Sequence, residues 1–244
     1  MAGTLFIVGL GPGDPELMSV RADRKVRAAR QLAYFRKKGH PGKARCIVEG
    51  LLAKDAREYP MEYPVTTEIA FDSPEYMRLL DHFYDEWSER LVQLSRAEEV
   101  VVLCEGDPYF YGSFMHLYVR LQGRVEIEVV AGIPGMTGCW NAVGQPIALG
   151  DDVTTVVMGT LGEDELTRRM RSSDALIVMK TGRNLPKVRR ALAAAGRLDD
   201  AWLVERGTMP DERVVRLAEV GVSECPYFAI VLVHGRGRRS GSAK

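Results

Sequence analysis

Short apolar runs that end directly in a glycine- or acid-rich turn constrain the fold of this chain more than any other feature. Thr4–Val8 ends in Gly-Leu-Gly-Pro-Gly-Asp-Pro, and Val100–Cys104 ends in Glu-Gly-Asp-Pro. Runs of this length and composition are typical of buried strands. A helix is predicted after each turn, the first from Asp14-Pro15 to about Arg30. This alternation continues to about residue 130 and predicts a mainly parallel, doubly wound sheet.

Two further strands and one long helix belong to the same half. The strands are Gln31–Phe35 and Glu126–Val130. The helix is predicted from Ser73 to Arg96, because Ser73-Pro74 is a typical helix start. Its apolar residues recur at spacings of three and four and indicate a face packed on the core, formed by Met77, Leu80, Tyr84, Trp87, Leu91 and Leu94.

The pattern changes beyond Gly150, where a second α/β domain with a mixed sheet is predicted. Its strands are Val153–Met158, Ala175–Met179, Trp202–Glu205, Arg213–Leu217 and Tyr227–Val233, and its helices Glu163–Arg171 and Leu185–Ala195. The last two strands have no helix between them, which indicates an α+β arrangement or a mixed sheet. We therefore expect an α/β protein with domains at 1–131 and 132–237, and a flexible tail at 238–244 that is rich in Gly, Arg and Ser.

Composition excludes several classes of protein. Lys+Arg and Asp+Glu both number 33, so no global field attracts nucleic acid or a membrane surface. The cysteines are widely separated and form no CxxC pair, so we expect no metal site and a reducing cytoplasm. No apolar run reaches transmembrane length, and the first run is too short for a signal peptide.

The first glycine-rich turn indicates a small-molecule site, since ligands approach the backbone closely at the carboxyl ends of such strands. A dinucleotide fold is the rival interpretation. Asp14 and Glu16 occupy the helix start where a pyrophosphate would bind, and their charge would repel it. No acid follows the second strand to hold an NAD ribose. The basic Arg36-Lys37-Lys38 keeps an NADP-linked oxidoreductase open as an alternative.

The second turn, Glu105-Gly106-Asp107-Pro108, adds two carboxylates at another strand end. These would suit a ligand with hydroxyl groups or a positive charge. The simpler interpretation is that Asp107-Pro108 caps the next helix, and we expect it to do so as well. Two acidic turns together favour a cationic ligand without phosphate.

Four segments resemble, in family order, the tetrapyrrole (corrin/porphyrin) methyltransferases. They are GLGPGDPEL at 9–17, EGDPYFYGS at 105–113, GIPGMTG at 132–138 and VERGTMPDERVV at 204–215. The resemblance extends from Thr4 to about Val233. Further segments resemble the branch of that family that methylates C-20 of precorrin-2, namely AYFRKKG at 33–39, YPVTTEI at 63–69, MKTGRNLPKVRRAL at 179–192 and ERGTMPDER at 205–213.

The resemblance implies a homodimeric enzyme that binds S-adenosylmethionine in the cleft between its two domains. The implied cofactor contacts are Pro12, Glu105, Gly106, Asp107, Phe110, Pro134, Gly135, Met179 and Gly207. Relatives often carry hydroxyl side chains where Pro134-Gly135 stands, so only backbone contacts are expected there. Without the resemblance, Met179 would be assigned to core packing.

The resemblance also implies a tetrapyrrole polycarboxylate as substrate, either metal-free precorrin-2 or its cobalt-bearing form. Uroporphyrinogen-III methyltransferases carry an aspartate after the tyrosine of the second strand, whereas here Phe35 follows Tyr34. Tyr34 is a weak candidate for a catalytic residue and a better one for a wall of the site. Cations expected to bind the substrate carboxylates are Arg36, Lys37, Lys38 and Arg183. A solvated loop is the simpler interpretation of the basic stretch 36–45, and a non-catalytic tetrapyrrole carrier stays open.

Overall fold

A computed structural model describes residues 3–66, 68–69, 73–221 and 225–237. The chain forms two compact units, and the division falls between Gly135 and Met136. The boundary that the sequence predicts, after residue 131, lies four residues earlier. The predicted tail at 238–244 lies outside the described residues.

The first unit is built on a five-stranded sheet in the order β3-β2-β4-β1-β5. Every pair of neighbouring strands is parallel, as the strand–helix alternation predicts. The strands are β1 (Thr4–Gly9), β2 (Gln31–Lys37), β3 (Arg57–Tyr63), β4 (Val100–Cys104) and β5 (Glu126–Val130). In a parallel sheet all carboxyl ends meet at one edge, so the turns after β1, β4 and β5 are brought together there.

Helices cover both faces of this sheet and complete two hydrophobic cores. They are α1 (Val20–Ala28), α2 (Lys43–Ile47), α3 (Pro74–Ser95) and α4 (Phe114–Leu121). Tyr84, Trp87 and Leu91 of α3 are buried with α4 on one face, while α1 and α2 pack on the other. Met77 was expected in the α3 core stripe, but it is 51% exposed, because the core begins at Leu80.

The helix predicted from Asp14 to Arg30 is divided in two. Asp14 does accept a hydrogen bond from the Glu16 amide, but it caps only a short 3-10 turn, Pro15–Leu17. The Ser19 side chain then accepts from the Ala22 amide and starts α1 as a separate helix. Two caps within six residues therefore divide the segment that was predicted as one helix.

Strand β3 was not predicted. Its sequence contains Pro60, which lacks the amide donor that a central strand requires. In the structure β3 lies at the edge of the sheet and pairs with β2 alone, where a proline is tolerated.

The second unit has the predicted mixed sheet, in the order β6-β7-β10-β8-β9. Strands β6 and β7 are parallel, and the remaining pairs are antiparallel. The helix α5 (Gly135–Val143), for which no bounds were predicted, precedes this sheet. The later elements lie within two residues of their predicted bounds: β6 (Thr154–Met158), α6 (Glu163–Ser172), β7 (Ala175–Met179), α7 (Leu185–Ala194), β8 (Ala201–Glu205), β9 (Arg213–Arg216) and β10 (Ala229–Val233). The predicted fold class, α/β with a parallel sheet followed by a mixed one, is thus confirmed. Every helix that the structure describes is too short or too polar to span a bilayer.

Candidate functional site

Three turns of the first unit meet backbone to backbone at the carboxyl edge of its sheet. The Gly106 amide donates to the Gly11 carbonyl at 2.8 Å, and Leu10 donates to Cys104 at 2.9 Å. A methyl group on Gly9 would lie 2.7 Å from the Gly132 nitrogen and 2.8 Å from the Gly106 oxygen. Glycine is therefore required here because there is no room for a side chain between the turns.

Asp107 fastens two of these turns together. Its Oδ2 accepts from the Gly132 amide at 3.0 Å, and its Oδ1 accepts from the Tyr109 amide at 2.9 Å. The expectation that Asp107 also caps the following helix is wrong, because α4 begins only at Phe114, after Ser113. Both carboxylate oxygens are thus in use, and each retains a second lone pair for a ligand.

Glu105 connects the same edge to the basic stretch. Its Oε1 accepts from the Ala44 amide at 2.9 Å, at the start of α2. The side chain keeps exposed area, yet the protein around it displaces enough water to raise the pKa of the carboxyl, against the effect of the Ala44 bond. Of the other predicted cofactor contacts in this unit, Pro12 is buried and Phe110 is half-buried.

The helix start that follows the first glycine-rich turn is unsuited to a phosphate. The Glu16 amide, one of the few donors there, is taken by Asp14. The helical segment that follows has only three residues, so it offers little dipole. The carboxylates of Asp14 and Glu16 add negative charge, which supports the interpretation that this edge binds a ligand without phosphate.

In the second unit, Met179 and Gly207 stand at the carboxyl ends of β7 and β8, which run in the same direction with β10 between them. Met179 ends β7, and its carbonyl accepts from the Gly159 amide at 2.7 Å. Gly207 follows β8 and lies against α5, where an added methyl group would be 2.8 Å from the Cys139 sulfur. Burial raises the pKa of the Cys139 thiol to about 12, so it is a packing residue and not a nucleophile.

Strained backbone marks the same segments. The described non-glycine residues with positive φ are Tyr111 (55°), Lys180 (53°), Arg206 (52°) and Thr208 (68°). All four lie in the turns after β4, β7 and β8, inside the segments that carry the family resemblance. Each such residue costs on the order of 1–3 kcal/mol, and such strain is concentrated at functional sites. No sequence pattern would have revealed it.

Tyr34 is held by a hydrogen bond that disfavours a role as proton acceptor. The residue is buried on the α1/α2 face of β2, and its hydroxyl is hydrogen-bonded to Glu58 of β3. Burial, followed by this bond, raises the pKa of Tyr34 above its ordinary value of 10.0. Phe35 points to the opposite face, where it stacks on Tyr63 at 5.5 Å. The residue after Tyr34 is thus a packing residue, and β2 supplies no carboxylate there.

The basic stretch is not a bare positive patch. Arg36 pairs with Glu62 at 2.9 Å and Lys37 with Glu68 at 3.0 Å, while Lys38 is exposed. Hydrogen bonds from the Thr66 backbone and from Lys37 lower the pKa of Glu68 to about 2. Arg183 is exposed in a 3-10 turn after β7.

The ion pairs of Arg36 and Arg45 were not predicted, because their acidic partners lie on β3, which was itself not predicted. The parallel register places Glu62 opposite Arg36, and Glu58 forms a bidentate pair with Arg45 at 2.7 and 3.1 Å. The alternation of Tyr59, Met61 and Tyr63 with the polar side chains of Glu58 and Glu62 is a strand pattern, but Pro60 interrupts it and argues against a central strand. In the described part of the chain, no group of three His, Cys, Asp or Glu side chains is arranged to hold a metal ion.

Comparison with known proteins decides the family. The sequence-family model of the Tetrapyrrole (Corrin/Porphyrin) Methylases matches residues 4–220 of this chain. The chain belongs to this family. It is 51% identical to a precorrin-2 C(20)-methyltransferase of Sinorhizobium sp. over 96% of both chains. It is 25% identical to a cobalt-precorrin-2 C(20)-methyltransferase of Salmonella typhimurium, over 96% of this chain and 97% of the relative.

A solved member of the family has the same fold. Uroporphyrin-III C-methyl transferase from Thermus thermophilus, complexed with S-adenyl homocysteine, superposes with a TM-score of 0.64 at 22% identity. The match covers 95% of this chain and 97% of that one.

Proposed function

We propose that this tetrapyrrole methylase transfers the methyl group of S-adenosylmethionine to C-20 of precorrin-2, giving precorrin-3A in cobalamin biosynthesis. The observation that carries the proposal is the 51% identity, along 96% of both chains, to an enzyme named for that reaction. Identity to the cobalt-precorrin-2 enzyme is 25%, which favours the metal-free substrate.

The acidic edge of the first unit suits the proposed methyl donor. S-adenosylmethionine carries an ammonium, a sulfonium and ribose hydroxyls but no phosphate. Asp107 and Glu105 offer carboxylate lone pairs, and Pro12, Gly106 and Phe110 border the same turns. Pro134, Gly135, Met179 and Gly207 are proposed as further contacts on the strength of the family resemblance.

The reaction asks the protein mainly for positioning. The methyl–sulfur bond breaks as a bond forms from C-20 to the methyl carbon, and the sulfonium becomes a neutral thioether. A proton must then leave C-20. Tyr34 donates its hydroxyl hydrogen towards Glu58 and has a raised pKa, so we assign it to the wall of the site. The carboxylates of the substrate are the proton acceptors that we propose.

The cations Arg36, Lys37, Lys38 and Arg183 are proposed to bind the acetate and propionate groups. The hydrogen bond from Ala44 to Glu105 supports this for the first three, because it places the end of the basic stretch against an acidic turn of the proposed cofactor site. Arg36→Ala or Arg183→Ala should raise the KM for precorrin-2 without changing the affinity for S-adenosylhomocysteine. Arg30→Ala is the matched control, since Arg30 also forms an ion pair but precedes β2, at the opposite edge of the sheet. An unchanged KM in both test variants would contradict this assignment.

The direct experiment is incubation with precorrin-2 and S-adenosylmethionine carrying a 13C methyl group, followed by NMR of the product. Label at C-20 supports the proposal, whereas label at another carbon, or none, refutes it. Calorimetric titration with S-adenosylhomocysteine and with NADP separates the alternatives. Binding of NADP alone would indicate the oxidoreductase. If neither compound bound, the result would indicate the non-catalytic carrier. A homodimer in the cytoplasm stays a prediction from the sequence.

A further inference from the structure

Tyr111, in the turn between β4 and α4, has a backbone conformation that suits glycine. Its φ is 55°, in the left-handed region that bulky residues rarely adopt. Asparagine and glycine tolerate this region at much lower cost. A tyrosine at this position therefore suggests a role for its side chain, because the path of the chain alone would favour glycine or asparagine.

The turn that carries Tyr111 is fixed on both sides. Before it, the Phe110 amide donates to the Asp107 carbonyl at 3.1 Å, within the turn that Asp107 already fastens to Gly132. After it, the Tyr63 hydroxyl donates to Ser113 Oγ at 2.5 Å. Because both flanks are held, the surrounding structure imposes the strained backbone conformation and fixes the direction in which the side chain of Tyr111 leaves the turn.

The ring does not serve the hydrophobic core. The side chain of Tyr111 is 49% exposed, and its recorded aromatic contact is an edge-to-face one with the neighbouring Phe110 at 5.0 Å. Tyr109, which has the same 49% exposure, differs, since it packs against Tyr118 at 5.3 Å and Phe114 at 6.4 Å. Tyr109 is thus a packing residue, whereas Tyr111 offers a free aromatic surface.

The position of this surface relates it to the basic stretch. Tyr63, which holds the turn through Ser113, is the last residue of β3 and is in register with Lys37 of β2. The turn therefore borders the strand ends that bear Arg36 and Lys37. An aromatic ring on a turn that borders these strand ends suits a ligand that combines a flat, partly conjugated ring system with carboxylates.

We propose that the exposed ring of Tyr111 lies against the tetrapyrrole macrocycle and helps to position it for methyl transfer. This inference rests on the proposed function. The adenine of the cofactor is the other flat ligand that the site would receive, and the experiment separates the two. Tyrosine has only two side-chain torsions, so a ring on a fixed turn orients the macrocycle with little loss of entropy.

The test compares Tyr111→Asn, Tyr111→Phe and the matched control Tyr109→Asn. Three quantities are measured for each: the Tm, the Kd for S-adenosylhomocysteine, and the KM and kcat with precorrin-2. Tyr111→Asn should keep or raise the Tm, because asparagine tolerates the backbone conformation. It should raise the KM for precorrin-2 roughly three- to tenfold, the range expected for one aromatic contact. Its Kd for S-adenosylhomocysteine should not change, and Tyr111→Phe should behave as wild type.

The control should show the reverse pattern, a lower Tm with an unchanged KM, because Tyr109 packs on its neighbours. A lowered Tm and an unchanged KM in Tyr111→Asn would overturn the inference by showing that the ring is structural. A weakened affinity for S-adenosylhomocysteine would assign the ring to the adenine instead and would also overturn it. A wild-type protein that neither binds nor methylates precorrin-2 would refute the proposed function itself.

Discussion

Adding a methyl group to Gly132 should separate the turns that form the proposed cofactor site. The new carbon would lie within 3 Å of three backbone atoms: the Gly106 oxygen and both the Cα and carbonyl carbon of Gly9. Backbone atoms held in a sheet cannot rotate away as a flexible side chain can. Gly132→Ala therefore requires the turns after β1, β4 and β5 to move apart.

The magnitude follows from two contributions. Overpacking costs about 1–3 kcal/mol. Separation of the turns also stretches the bond from the Gly132 amide to the Asp107 carboxylate, and hydrogen bonds to charged groups contribute about 1.5–3 kcal/mol. The total is about 2.5–6 kcal/mol, which at roughly 2–4 °C per kcal/mol for a chain of this size lowers the Tm by roughly 5–24 °C.

Calorimetry measures both consequences of Gly132→Ala. A thermal scan should show the lowered Tm, and titration should show at least tenfold weaker binding of S-adenosylhomocysteine. Gly221→Ala is the control, because a methyl group there would have no neighbour within 4 Å. If Gly132→Ala kept the Tm within 2 °C and bound S-adenosylhomocysteine normally, the packing argument and the location of the site would both be wrong.

Two further predictions concern titrating side chains. The hydrogen bond from Arg45 lowers the pKa of Glu58 below its ordinary 4.5, so this pair stabilises the fold above that pH and its contribution is lost as the pH falls further. Glu58→Gln should thus lower the Tm by about 1–3 °C at pH 7, and circular-dichroism melts should show the difference shrinking below pH 4.5; a constant difference would contradict this. Burial raises the pKa of the Cys104 and Cys139 thiols, whereas Cys46 is exposed. Iodoacetamide should therefore label Cys46 first in the native protein, and equally fast labelling of the two buried thiols, detected by peptide mass spectrometry, would refute the burial assigned to them.

Most strands of the two sheets were predictable, because an apolar or alternating run closed by a turn is a strong strand pattern. The observed bounds of β4, β5 and β7 are the predicted ones, since each is an apolar or alternating run closed by a turn. Strand β3 was not predictable by this rule, because Pro60 argues against a central strand and nothing local shows that the strand lies at an edge. The interruption of the first helix at Ser19 was not predictable either, since a serine within a predicted helix does not itself show that it acts as a cap.

The site was predictable as a set of segments but not as a set of contacts. The glycine-rich and acidic turns predict where ligands approach, because close approach to the backbone requires glycine and a cationic ligand favours carboxylates. The pairing of Asp107 with Gly132 depends on how distant turns meet, and a single sequence does not contain it. The ion pairs of Arg36 and Lys37 depend in turn on the unpredicted β3. The strain at Tyr111 depends on its flanking bonds and likewise has no local signature.

The central claim is that the acidic turns of the first unit hold S-adenosylmethionine. A crystal structure with bound S-adenosylhomocysteine tests it most directly. We predict that the nucleoside lies against Pro12 and Phe110, with a ribose hydroxyl or the ammonium bound at the Glu105–Asp107 turn. A nucleoside bound elsewhere, with these residues untouched, would contradict the account.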